Sequence, residues 1–168
     1  MIGWSDIVDA EGSLDLGATD WRALSQAQVD LFARATGDAQ FLHVDPERAA
    51  REGPFGGAIA HGYLLVSLMP ALLAQRIVLP PGAAVVNYGL DKLRFADPVR
   101  VGARFRGRFV VTARNRLGPG KTLVKARAAI EVEGAARPAV TADPLIALVR
   151  LRDAFQTPEG APPAAAPA

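Results

Sequence analysis

Proton-handling side chains are concentrated in one stretch of the chain. From Thr36 to Gly62 it reads TGDAQFLHVDPERAAREGPFGGAIAHG, with both histidines of the protein, His43 and His61, and with Asp38 five residues before His43. A carboxylate and an imidazole on one short loop can hold a water molecule between them and exchange its proton, because free imidazole titrates near neutrality. His61 and Gly62 open a long apolar run that reads as a helix, and free backbone N–H groups at a helix start favour anionic oxygen. Gly53, Gly56 and Gly57 read as turn geometry, since GPFGG permits backbone conformations that residues with a β-carbon resist. A connector of this length in a compact chain reads as a functional loop.

The flanking elements must brace that loop. Ser25 has Gln28 three residues on, the spacing of a capping box. Val29, Phe32, Ala33 and Thr36 then share a helical face, widened by Leu31 and Ala35, and Gly37 is a left-handed terminator. Asp38 therefore follows a helix end. Asp45-Pro46 starts a second, short helix, with Asp as cap and Pro at the first helical position, and His43 lies two residues before the cap. Ile59 to Ile77 is apolar almost all round, which predicts a buried helix interrupted in its hydrogen bonding at Pro70.

Beyond the LPPG turn at 79–82 the period becomes two. Leu14 and Leu16 fit a short edge strand near the start, and Val85 to Phe95 reads as a strand. Ala103, Phe105, Phe109 and Val111 alternate with Arg104, Arg106, Arg108 and Val110, giving a half-buried strand with a basic outer face. A turn is expected over 115–120. Another strand runs from Leu123 to Glu133, and the last from Ala139 to Leu151, broken near Asp143-Pro144. Helices followed by a run of strands argue an α+β fold, an antiparallel sheet wrapped around one apolar helix. The domain is expected over 1–155, with a low-complexity, disordered Pro/Ala-rich tail at 156–168.

Composition narrows the function classes. The 168 residues suit one domain, and 50% of them are hydrophobic. A formal net charge of +2 is too mild to argue for nucleic acid. No cysteine is present, which excludes disulfides, thiolate metal sites and a cysteine nucleophile, and two histidines make a histidine metal site improbable. No signal peptide opens the chain and no apolar run reaches membrane-spanning length, so a soluble cytoplasmic protein without membrane insertion is expected.

The runs TGDAQFLHVDP and FGGAIAHG resemble the signature of MaoC-like (R)-specific enoyl-CoA hydratases, whose fold is the hotdog. NYGLDKLRFADPVRVGARFRG at 87–107 is similar to the NodN-like branch of that family. The resemblance covers most of residues 20–150. It implies a sheet around a central helix at 61–76, and a homodimer or a dimer of dimers. It implies an acyl-CoA substrate, or the same acyl group on acyl-carrier protein, with no cofactor and no metal. By resemblance Asp38 and His43 match the catalytic pair, and Gly62 the residue whose N–H binds the thioester oxygen. Gln40-Phe41 stands where the family commonly has Asn-Pro. The reaction so implied is reversible addition of water to a trans-2-enoyl thioester, giving the (3R)-hydroxyacyl product.

Gln40, Phe41, Gly57, His61, Tyr63 and Arg94 are further candidates for substrate contact. His61 also reads as a structural residue holding the loop against the sheet. Tyr63, Phe41 and the run Leu64–Leu68 could line an acyl tunnel or belong to the core. Arg104, Arg106 and Arg108 read as a solvated face, with contact to CoA phosphates as the alternative, and Lys92 and Arg94 are similar candidates. Two competing functions are a hotdog thioesterase, which would release free thiol, and a non-catalytic acyl-binding subunit.

Overall fold

The first twenty residues hold more than a single edge strand. In the computed structural model, which describes residues 1–151, β1 (Ile2–Gly3) leads into α1 (Trp4–Asp9), followed by β2 (Leu14–Ala18) and β3 (Arg22–Ala23). β2 keeps the expected alternation and the edge position. α1 has only Ile7 buried, so its six residues carry no helical period to read. The tail expected at 156–168 lies outside the described residues.

Ser25 opens α2 (Gln26–Thr36) through the expected reciprocal cap. The Gln28 N–H donates to Ser25 Oγ at 3.3 Å, and the Ser25 N–H donates to Gln28 Oε1 at 3.0 Å. Gly37 ends the helix at φ +81°, a left-handed conformation that glycine adopts without steric cost, and its N–H donates to the Ala33 carbonyl. α3 (Phe41–Val44) is one helical turn that the sequence pattern did not indicate, and His43 lies on it. α4 (Pro46–Glu52) starts as expected, with the Arg48 N–H donating to the Asp45 carboxylate at 2.9 Å.

The central helix, α5 (Gly62–Leu73), is shorter than the apolar run from Ile59 to Ile77 and shorter than 61–76. Ile59 and Ala60 are held in extended pairing instead, their N–H groups donating to Leu42 and Val99 carbonyls at 2.9 and 2.8 Å. At the far end Gln75 and Arg76 bond back only three residues, which tightens and ends the helix. Ile77 belongs to β4 (Ile77–Val78), paired in parallel with β1.

The remaining strands are β5 (Ala83–Phe95), β6 (Arg104–Gly118), β7 (Lys121–Val132) and β8 (Val140–Arg150). Sheet order is β2-β6-β7-β8-β5, antiparallel throughout, with β3 also on β6. The turn expected over 115–120 is tighter, because Asn115, Arg116 and Gly118 still pair with β7. β8 is not broken at Asp143-Pro144. Pro144 stays opposite Leu90 of β5, while the ladder to β7 passes from Leu145 to Ala142, sparing the residue that has no N–H.

The sheet wraps α5, and the core is their contact. Leu64, Leu65, Met69, Leu72 and Leu73 meet Phe105, Phe109, Val124, Ile130 and Leu148. The helix is not covered on every side as its composition suggested. Tyr63 is 66% exposed, and Ser67, Pro70 and Ala71 on the same side are exposed as well. Between that side and β5 lies a cavity of about 530 Å³, bounded by Val66, Met69 and Leu73 on the helix and by Val85, Asn87 and Leu90 on the strand.

Candidate active site

Asp38, His43 and His61 arrive from three elements and converge. Asp38 follows the Gly37 terminator, His43 sits on α3, and His61 is the residue before α5. One carboxylate oxygen of Asp38 and one ring nitrogen of each histidine all lie within 4.8 Å of one another. Two hydrogen bonds of about 2.8 Å meeting at a water oxygen span roughly that separation. Asp38 is exposed, His43 partly buried, and His61 only 2% exposed.

His43 is held from three sides. Its Nδ1 lies 2.7 Å from the Ile59 carbonyl. A carbonyl oxygen only accepts, so Nδ1 carries a hydrogen, and the tautomer of the neutral ring is the one with its lone pair on Nε2. Its backbone carbonyl accepts from Gln26 Nε2 at 2.6 Å, and its ring stacks on His61 with centroids 3.8 Å apart. His61 Nε2 lies 2.9 Å from the Asp38 backbone carbonyl, so that nitrogen is the protonated one.

Gly62 is the first residue of α5, and its N–H falls outside the helical ladder at the positive end of a 12-residue helix. A β-carbon on Gly62 would come 2.7 Å from Phe95 Cε1, so the aromatic ring lies directly against its Cα. Phe95 in turn meets Tyr63 edge to face at 5.4 Å between centroids.

The other candidates are placed as follows. Gln40 precedes α3 and its side chain makes no cap bond. Phe41 lies under the Arg48 guanidinium, 4.3 Å from ring centroid to Cζ. Gly57 sits against Arg100, whose Nη2 donates to the Gly56 carbonyl at 2.6 Å. Arg94 is exposed on β5 and bonds the Leu93 carbonyl. Of the tunnel candidates, Val66 borders the cavity beside α5 while Leu64 and Leu65 are core; Tyr63 and Phe41 do not border it.

The basic outer face of β6 is a row of ion pairs. Arg104 meets Glu133 at 2.8 Å, Arg106 meets Glu131 at 2.7 Å and Arg108 meets Asp15 at 2.6 Å. Each guanidinium already has a carboxylate, which favours the solvated-face reading over phosphate contact. Lys92 lies 3.7 Å from Asp143. Elsewhere, hydrogen bonds from Arg48 and then Arg51 hold the Glu52 carboxyl below its usual range, and the Arg137 fork does the same for Asp97.

Gln26 and Phe95 were missed by sequence reasoning. Gln26 is 17 residues from the backbone it braces, and no local signal links them. Phe95 falls in the strand that alternation predicts, but two register shifts in β5, at Asn87/Gly89 and Asp91/Arg94, scramble which residues face the helix.

The three converging side chains are also of types that ligate metals. Their arrangement does not suit one. The two imidazole rings are stacked with planes 27° apart, and backbone carbonyls already engage His43 Nδ1 and His61 Nε2, which leaves at most one nitrogen of each ring for an ion.

The sequence and the fold both have counterparts among known proteins. The model of the MaoC like domain family matches residues 13–133. The 3-hydroxyacyl-thioester dehydratase Z of Mycobacterium tuberculosis is 42% identical over 145 residues, 86% of this chain and 95% of that protein. Nodulation protein N of Rhizobium leguminosarum bv. viciae is 44% identical over 130 residues, 77% of this chain and 81% of that protein. The (R)-hydratase from A. caviae involved in PHA biosynthesis superposes with a TM-score of 0.63 at 31% identity, over 82% of this chain and 96% of that one. The chain belongs to the MaoC-like dehydratase family and has its hotdog fold.

Proposed function

We propose that the protein is an (R)-specific enoyl-CoA hydratase, adding water reversibly to trans-2-enoyl thioesters to give (3R)-hydroxyacyl thioesters. The observation that carries this reading is the Asp38 carboxylate and the His43 imidazole set within 4.8 Å of each other, beside the free N–H groups that open α5. Asp38 and His43 bind one water. His43 Nε2 takes a proton from it as the oxygen bonds to C3, and the double-bond electrons move towards the thioester. Gly62 N–H stabilises the charge that grows on the thioester oxygen; one such donor is worth on the order of 10²–10³ in rate. Imidazolium then returns the proton to C2, so both new bonds form on one face. The sum is addition of OH to C3 and H to C2 without a net oxidation or reduction, and no cofactor or metal is required.

The cavity beside α5 is the place for the acyl chain. It begins near Val66, one helical turn past Gly62, and continues to Leu73, about 17 Å along the axis from the oxyanion donor. The relatives named above, one a thioester dehydratase and one an (R)-hydratase, support the same chemistry.

The edge strand β5 supports association with a second copy, a homodimer. The test is a ladder of trans-2-enoyl-CoAs offered to the purified protein, following loss of the conjugated absorbance, product chirality and free thiol. Hydration to the (3R) product without thiol release is expected. Release of thiol without hydration would support a thioesterase instead.

A further inference from the structure

We infer that His61 is the positioning residue of this site: its ring holds Asp38 and His43 in place, and its own peptide unit carries the Gly62 N–H. The inference rests on the hydratase reading above. At 2% exposure His61 has no open surface to offer a substrate, so it acts through its neighbours.

Asp38 lies in an exposed loop. Its N–H has one weak tie, to Thr36 Oγ1 at 3.3 Å, whereas His61 Nε2 donates to its carbonyl at 2.9 Å. The His61 ring also stacks on His43 with centroids 3.8 Å apart, and Phe32 of α2 meets it tilted at 5.1 Å. The His61 carbonyl accepts from the Leu64 and Leu65 N–H groups at 3.1 and 3.3 Å, which fixes the plane of the peptide that ends in the Gly62 N–H. One residue thus joins the two halves of the chemistry. Its side chain sets where the water sits, and its main chain sets where the oxyanion donor points. A shift of His61 would move both relative to each other.

The second ring nitrogen, Nδ1, is buried without a hydrogen-bond partner. That makes a discriminating substitution available. His61→Phe keeps an aromatic ring against His43 and removes an unpaired acceptor, but leaves the Asp38 carbonyl without its donor. His61→Gln keeps a donor for that carbonyl and loses the stack.

The experiment measures kcat, KM and thermal midpoint for both variants beside wild type, on one trans-2-enoyl-CoA. His61→Phe should lower kcat by about 10²-fold, the scale of a 1 Å misplacement, with KM little changed. His61→Gln should recover part of that loss. Wild-type kcat in either variant overturns the inference. So does a loss of activity that merely tracks the unfolded fraction, or a rise in KM at unchanged kcat. If wild type itself hydrates nothing, the hydratase reading fails and takes this inference with it. If wild type is active and His61→Phe is equally active, this inference alone fails.

Discussion

Two backbone carbonyls set the tautomer of both imidazoles. The Ile59 oxygen takes the hydrogen of His43 Nδ1 and the Asp38 oxygen takes that of His61 Nε2, which leaves His43 with a lone pair to use on water. Gly62 is equally constrained, since the Phe95 ring occupies the space of a β-carbon. Gly62→Ala should therefore displace the ring and tilt the first peptide of α5. We expect kcat to fall about tenfold or more while the thermal midpoint moves little, because the ring is half exposed and can swing aside. Combining it with Phe95→Ala should return part of the activity; a Gly62→Ala protein of wild-type kcat would remove Phe95 from the account. Asp38 and His43 are legible in the sequence because a local motif carries them. Gln26 and Phe95 are not, because the first reaches its target across 17 positions and the second is aimed by β-bulges that hydrophobic alternation does not reveal.

Among the elements, α2 and α4 could be read because capping chemistry is local: Ser25 with Gln28, Gly37, and Asp45 with Pro46 all act within four residues. α5 could be read as apolar but not bounded, because its start is set by pairing of Ile59 and Ala60 with Leu42 and Val99, and its end gives way to Ile77 pairing with Ile2, all far away in the chain. Its open side could not be read either. The gap to β5 gives that side a use. Val85 borders the cavity opposite Leu73, and Val85→Phe would fill part of it. The expected result is a loss of about tenfold or more in kcat/KM for long enoyl chains, with a four-carbon substrate affected about twofold at most, since single methylenes in apolar pockets discriminate on this scale. Equal losses at all chain lengths would place the acyl group elsewhere.

Among the described residues the sheet has two edge strands, β2 and β5, and β5 is the longer, 13 residues against 5. β5 is hydrogen-bonded on one side only, and Val86 and Tyr88 on it are 51% and 60% exposed, with Tyr63 of α5 at 66%. Exposed strand edges with apolar side chains invite pairing. A second copy joined through β5 would cover both that edge and the open side of α5. Sedimentation at micromolar concentration should show a dimer, and Tyr88→Lys should shift it towards monomer; a wild-type monomer would contradict the pairing. The mild net charge and the ion-paired face of β6 give no comparable reason for a nucleic-acid partner. No helix among the described residues is long and apolar enough to cross a membrane.

The most direct test is the turnover number for hydration of a trans-2-enoyl-CoA by Asp38→Asn and by His43→Ala, measured with the thermal midpoint of each. Both side chains lie at the surface of the core and not within it, so both variants should remain folded. Each should lose at least about 10²-fold in kcat, the contribution of a positioned acid or base. Wild-type turnover in either variant would contradict the account.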